Sequence, residues 1–345
     1  MTHLFSPFSY KGLTLKNRIV MAPMCQYSVE AKDGKPNDWH FTHYTSRAVG
    51  GAGLIIIEMT DVEPDGRITD YDLGIWSDEH VPAYARIVEA CHKHGAKMGI
   101  QIAHAGRKAE DAKLPVSSSA IAYDSTFKVP KALTKDDINA LVEKFRQAAR
   151  RAVQAGFDTI ELHGAHGYLI HQFHSPLINK RDDEYGENLA KFGVEVIQAV
   201  KSELPAEMPL LMRVSATEFA AGGYDVNHMI DICKQYEAAG VDIFHISAGG
   251  EAPLEVAGMG PHGKPGTHSG YQVPYAQAFK QQFDLPIISV GKLDSPELSN
   301  AVIGNNDADL VAIGRGLLRD PYWPIHAART LDHKTDIPKQ YSRAL

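Results

Sequence analysis

Residues 135–163 read KDDINALVEKFRQAARRAVQAGFDTIELH, and the fold turns on this stretch. A helical pattern runs from Lys135 to Ala155 and stops at Gly156, a residue that accepts the left-handed backbone of a helix end. Phe157-Asp158 then opens a short strand-like run, Thr159–His163. The same join recurs at His94-Gly95 and Ala239-Gly240, and Val241-Asp242 and Ala308-Asp309 open strands in the same style. Working outward, strands are expected at Ile19–Met24, Leu54–Glu58, Met98–Ala103, Thr159–His163, Leu210–Val214, Ile243–Ser247, Ile287–Val290 and Leu310–Ile313. Helices are expected between them, among others at Val81–His94, Lys135–Ala155, Leu189–Glu203, Val226–Ala239, Pro296–Ile303 and Tyr322–Thr330.

Strict alternation of strand and helix implies parallel strands buried on both faces. Eight such units close into an α/β fold of the (β/α)8 TIM-barrel type. An open doubly wound sheet is the alternative, but no G-x-G-x-x-G follows an early strand. A barrel takes about 250 residues. The remainder of the 345 is expected in an N-terminal lead-in, a 249–271 loop excursion and a C-terminal tail, 331–345. No linker divides the chain, so residues 1–345 are expected to form one domain.

Composition narrows the function. The chain is 44% hydrophobic and 22% charged, enough for an ordinary core without disulfides. Its formal charge is −7 with no basic block, which excludes a phosphate-tracking nucleic-acid surface. The longest apolar runs, such as Leu54-Ile55-Ile56-Ile57, fall far short of the roughly 18 residues of a membrane helix. The N-terminus shows no signal peptide. Cys25, Cys91 and Cys233 are the only cysteines, an odd count without C-x-x-C spacing, so a reducing, cytoplasmic setting is expected.

Active sites of such barrels form at the C-terminal strand ends. Gly291 ends the seventh strand, and Gly314-Arg315 the eighth. Loops there often cradle a phosphate on glycine N–H groups, although the same glycines also suit plain tight turns. Arg213 interrupts the apolar run Leu210–Val214, and a buried cation needs a partner. Either it pairs with Glu161 or Glu58, or it faces an electron-rich cofactor ring. Gln101 is either a satisfied core amide or a hydrogen-bond partner of that ring's polar edge. His163 and His166 admit a metal reading, but no H-E-x-x-H or cysteine pair accompanies them. Two neutral imidazoles can instead donate to one oxygen and polarise a carbonyl, with the Tyr168 hydroxyl just beyond them to deliver a proton.

The stretches Pro23-Met24-Cys25-Gln26-Tyr27, Gln101-Ile102-Ala103-His104-Ala105-Gly106-Arg107-Lys108, His163-Gly164-Ala165-His166-Gly167-Tyr168-Leu169 and Ile313-Gly314-Arg315 together resemble the Old Yellow Enzyme family of FMN ene-reductases. Gly66-Arg67-Ile68 and Leu73 to His80 match as well, and the resemblance runs from about Phe5 to Arg343. The short bacterial "thermophilic-like" subgroup is the most similar, by the cysteine after Pro-Met and the tyrosine two residues later.

The resemblance implies FMN over the barrel mouth and NADPH or NADH as its reductant, with ping-pong kinetics. It implies that Pro23, Met24 and Cys25 line the flavin near N5, and that Cys25 tunes its potential. Gln101 and Arg213 would bind the pyrimidine edge, and Ser247, Gly291, Gly314 and Arg315 the ribityl phosphate end. His163 and His166 would hold the carbonyl oxygen of an enone substrate, Tyr168 would protonate Cα, and Tyr27 would touch substrate from the other side. Arg343 would reach into a neighbour's active site in a homodimer or homotetramer.

Three departures stand out. Met59 occupies a place where the family generally has alanine against the flavin. Residues 183–189 look shortened, with loss of an arginine that anchors the surface. The 249–271 excursion is rich in His, Gly and Pro, and His262 and His268 could bind metal or simply be solvated. Rival readings are a metal-dependent lyase or hydrolase using His163 and His166, a flavin protein with impaired activity because of Met59, and a dehydrogenase-type or dienoyl-CoA reductase module. The last carries an iron–sulfur cysteine cluster, which three scattered cysteines cannot supply.

Overall fold

The structure is a computed structural model that describes residues 2–251 and 268–343. Eight parallel strands carry the chain: β1 (Ile19–Met21), β2 (Leu54–Asp61), β3 (Lys97–Ala103), β4 (Thr159–Gly164), β5 (Leu210–Ser215), β6 (Ile243–Ser247), β7 (Ile287–Val290) and β8 (Leu310–Ile313). Each pairs with the next, and β8 pairs with β1. The sheet therefore closes, as the alternation predicts. A main helix follows each strand, α1 (Asp38–Val49), α2 (Val81–His92), α3 (Lys135–Gln154), α4 (Lys191–Lys201), α5 (Val226–Ala239), α6 (Val273–Lys280), α7 (Pro296–Gly304) and α8 (Trp323–Thr330), with shorter helical segments at Leu169–His174, Glu184–Glu187 and Arg315–Arg319. Gly240, at φ 116°, ends α5 in the left-handed region that its lack of a Cβ permits.

A helix is expected in the first interval, but neither its limits nor the hairpin before the barrel is legible in the sequence. Helix α1 is capped by Asn37, whose side chain accepts from the Trp39 N–H. A hairpin of Phe8–Tyr10 and Leu13–Leu15 precedes the barrel. Its Phe8, Leu13 and Leu15 pack with Val20, Leu54, Leu211, Ile243 and Leu310, which lie near the strand starts. The hairpin thus plugs the N-terminal end with hydrocarbon. Polar chemistry is left to the opposite end.

Other limits shift slightly. The first strand stops at Met21 instead of Met24, because Pro23 has no N–H to continue the ladder. The second runs on to Asp61, past a register slip against β3 between Ile57 and Thr60. Residues 261–266, with His262, lie outside the described residues. The 183–189 segment contains no arginine of its own. Arg181, just before it, pairs with Asp183 and donates to the carbonyls of Ser118 and Leu133. No helix among the described residues is long and apolar enough to cross a membrane.

Candidate active site

Successive side chains on a strand point to opposite faces, so the outward set fixes the inward one. Ile100 and Ile102 of β3 join the outer core beneath the helices, which turns Gln101 inward. Ile160 and Leu162 do the same for Glu161 and His163 in β4. Met212 and Val214 do it for Arg213, and Phe244 and Ile246 for His245 and Ser247. A polar layer therefore sits directly above the apolar plug. In β2 the slip interrupts this alternation. Glu58 turns outward and accepts from the Tyr44 hydroxyl of α1 and from the Gln26 N–H, and Met59 faces the mouth.

The mouth holds two adjoining cavities that share Pro23, His166 and Arg213. The smaller, about 230 Å³, is lined by Pro23, Cys25, Tyr27, Met59, Gln101, His163, His166, Tyr168 and Arg213. The larger, about 410 Å³, takes in Met24, Ser247, Gly249, Gly250, Tyr271, Gln272, Gly291, Lys292, Gly314 and Arg315. The fourteen expected site residues apart from Arg343 thus gather in one opening. Arg343 is exposed on the tail and lines neither cavity.

Arg213 decides what the opening can bind. It makes neither of the ion pairs considered for it. Glu161 is engaged by Gln101 Nε2 and His245 Nδ1, each at 2.7 Å, and Glu58 by Tyr44 and Gln26. Arg213 is only 7% exposed, and its Nε has no hydrogen-bond partner. A buried, unpaired guanidinium edge is a demand for an anionic or electron-rich ligand. His245, which the sequence reading passed over, orients Glu161 and through it Gln101.

The imidazoles are neutral, because burial and the Arg213 charge push both well below the usual histidine range. His163 Nδ1 accepts from the Ala165 N–H at 3.2 Å, so its proton resides on Nε2. His166 takes the left-handed conformation, φ 60°, and its Nε2 meets Ser247 Oγ at 2.7 Å. The two rings stand edge to face, 5.1 Å apart. The turn at Ala165-His166-Gly167 carries the second ring toward Ser247 of β6. Tyr168 packs edge-on against His163 at 4.9 Å, and burial raises its hydroxyl well above the ordinary tyrosine range, which keeps it protonated. Burial, then Asp72, Glu58 and Asp61, keep Cys25 a thiol.

Among the described residues one trio could share an ion, His171, Glu218 and Glu251, and it excludes His163 and His166. His171 Nδ1 accepts from the Gly167 N–H, so its Nε2 carries a proton toward Glu218 and Tyr224. That is a hydrogen-bond network, not a ligand set.

A family model described as NADH:flavin oxidoreductase / NADH oxidase matches residues 3–334. The chain belongs to this family. An NADPH dehydrogenase of Listeria innocua serovar 6a is 47% identical over 347 residues, covering 100% of this chain and 99% of that one. The corresponding protein of Geobacillus thermodenitrificans is 45% identical, covering 99% and 98%. A solved structure of morphinone reductase in complex with tetrahydroNAD superposes with a TM-score of 0.81 at 29% identity, covering 98% of this chain and 93% of that one. The protein is accordingly a flavin-dependent oxidoreductase, with FMN as cofactor and a nicotinamide as reductant.

The donor set fits that cofactor. The unpartnered Arg213 Nε and the Gln101 amide suit the polar edge of a flavin. Gly314, where an added Cβ would come within 3.4 Å of Met24 Sδ, opens the far end together with Gly291, Lys292 and Arg315 for a phosphate. Gln272, Tyr271 and Lys292 escaped the sequence reading. They sit in loops with no distinctive motif, and only the closure of the barrel brings them to the mouth.

Proposed function

We propose that this enzyme reduces the activated C=C bond of α,β-unsaturated carbonyl compounds with electrons from NADPH or NADH. The observation that carries the reading is the convergence of a protonated tyrosine and a neutral histidine donor on the cavity shared with Arg213. Pro23, Met24, Gln101 and Arg213 would hold the flavin ring, and Ser247, Gly291, Gly314 and Arg315 its phosphate end. When bound, FMN supplies the hydride that a nicotinamide has delivered to it.

The chain's own part is binding and proton placement. His163 Nε2–H grips the carbonyl oxygen and strengthens its hold as that oxygen gains charge, which lowers the barrier by differential binding. His166 lends its ring to the same wall while Ser247 fixes its tilt. Tyr168 holds the proton destined for Cα. Tyr27, 48% exposed, borders the same cavity beside Cys25. Arg343 stands clear of its own cavity, which supports the reading that it completes the site of a second copy in a homodimer or homotetramer.

Purified protein should be yellow, bleach under NADPH without oxygen, and recover its colour on addition of cyclohexenone. Flavin that NADPH bleaches but no enone restores would overturn the ene-reductase reading. Flavin that NADPH cannot bleach would favour a carrier whose site Met59 obstructs.

A further inference from the structure

Lys108 has no part in the reading above and lines neither cavity, yet it packs against His166, Gly250 and Tyr168, which do. The short turn Gly106–Lys108 after β3 carries it under the loops that follow β4 and β6. Its Nζ donates to the His166 carbonyl at 2.8 Å and to the Gly250 carbonyl. Backbone approaches backbone closely here: a Cβ on Gly250 would fall 2.2 Å from His166 Cα. The ammonium lies 4.2 Å from the centre of the Tyr123 ring and 5.6 Å from that of Tyr168. The nearest carboxylate of note, Glu251, is already held by Arg107 at 2.6 Å. No carboxylate ion-pairs with Lys108 among the described residues. An ammonium has three donors and two are used on carbonyls. Its charge is therefore directed at aromatic rings instead of being neutralised by an acid.

We propose that Lys108 is a positioning residue that locks the His166 and Gly250 loops together and holds a positive charge against Tyr168, stabilising the phenolate that proton donation leaves behind. This rests on the reading of Tyr168 as proton donor. In that step the Tyr168 O–H bond breaks, its proton forms the new C–H bond at Cα, and the electron pair stays on the phenol oxygen until water returns a proton. Lys108 keeps its own protons throughout. A cation buried beside the ring is worth far more than one in water, because little solvent screens it.

The groups facing Lys108 are Glu251, Arg107, Tyr123, Tyr168, His163 and His166. Burial lowers the amine to about 8, with Glu251 opposing and Arg107 adding to the fall. The charge is therefore lost as pH climbs through that range, and its benefit to Tyr168 with it.

The test uses the holoenzyme and three variants. Lys108→Gln keeps a donor for the carbonyls but no charge, Lys108→Met keeps neither, and Lys108→Arg keeps the charge. The enone half-reaction should slow about 10- to 100-fold in Lys108→Gln and Lys108→Met, with reduction by NADPH unchanged and partial rescue in Lys108→Arg. The alkaline limb of the wild-type enone half-reaction near pH 8 should disappear in both uncharged variants. An alkaline limb that persisted in the uncharged variants would overturn the proposal, and so would equal slowing of both half-reactions. Should Tyr168→Phe leave the enone step untouched, the proton-donor reading fails instead; a Lys108→Gln effect of full size in the Tyr168→Phe background would show that Lys108 does not act through Tyr168 and would overturn the proposal alone.

Discussion

The two ends of this barrel are built from the same strands and obey opposite rules. At the N-terminal end Val20, Leu54, Leu211, Ile243 and Leu310 close on Phe8, Leu13 and Leu15, with no polar side chain among them. At the C-terminal end the barrel strands carry Gln101, Glu161, His163, Arg213 and His245, and the layer keeps buried atoms without partners, Arg213 Nε and His245 Nε2. Leu211 and Arg213 put the contrast into two residues of one strand face. The apolar end holds the cylinder in shape, and that rigidity lets the other end keep polar groups aimed at a ligand. The plug is where stability should be lost, and the mouth is where function should be lost at little cost to the fold.

The largest expected effect belongs to Tyr168. Its replacement by Phe removes one hydroxyl and should slow the enone half-reaction by about 10²- to 10⁴-fold while sparing reduction by NADPH. Stopped-flow flavin absorbance separates the two steps, and equal slowing of both would contradict the proton-donor role. Next is Leu211→Ala, which opens a cavity in the fully buried plug. It should cost about 2–5 kcal/mol of stability in urea unfolding, with turnover per folded molecule preserved. Arg213→Met inverts this. FMN affinity should fall about tenfold or more, while the flavin-free protein holds or gains about 1 kcal/mol, because a buried charge without an ion pair has been removed. If Arg213→Met destabilised the apo-protein as strongly as Leu211→Ala, the division between the two ends would be wrong.

Much of this contrast is legible in the sequence. The strands show as short β-branched runs, and the reactive residue types cluster where those runs stop. Helix α1 was harder to see, because its buried face is His40, His43, Tyr44 and Arg47, which carries no apolar periodicity. The plug hid in two strands of three residues each. In the mouth, motifs locate His163, His166 and Tyr168 but not the aim of the rings. The tilt of His166 depends on a positive φ and on Ser247, a residue 81 positions away. Lys108 is held by carbonyl oxygens, and a backbone atom has the same name at every position. Contacts of that kind exist only once the chain is folded.

The smallest expected effect sharpens the contrast at the rim itself. Asp61, at the end of β2, is fully buried, and neither of its carboxylate oxygens has a hydrogen-bond partner. Burial first, then the neighbouring Asp72, raises it well above the ordinary aspartate range, and burial raises Asp72 itself to about 6. In the unfolded chain the same acids lose their protons near 3.8. Between the unfolded and folded values the native state holds protons that the unfolded state has released, so stability falls as pH rises through that window. Asp61→Ala removes the larger part of this dependence. At pH 8 the variant should be about 1 kcal/mol more stable than wild type, the relief of an unsatisfied acid outweighing a small cavity. The gain should shrink toward zero as pH falls to 4, where both states of wild type keep the acid neutral. Thermal unfolding from pH 4 to 8 reads it directly. A variant that lost stability at pH 8, or whose gain grew as pH fell, would show that Asp61 is ionised and held by a partner at the mouth. In that case the rim would follow the rule of the plug, with its polar groups satisfied within the chain.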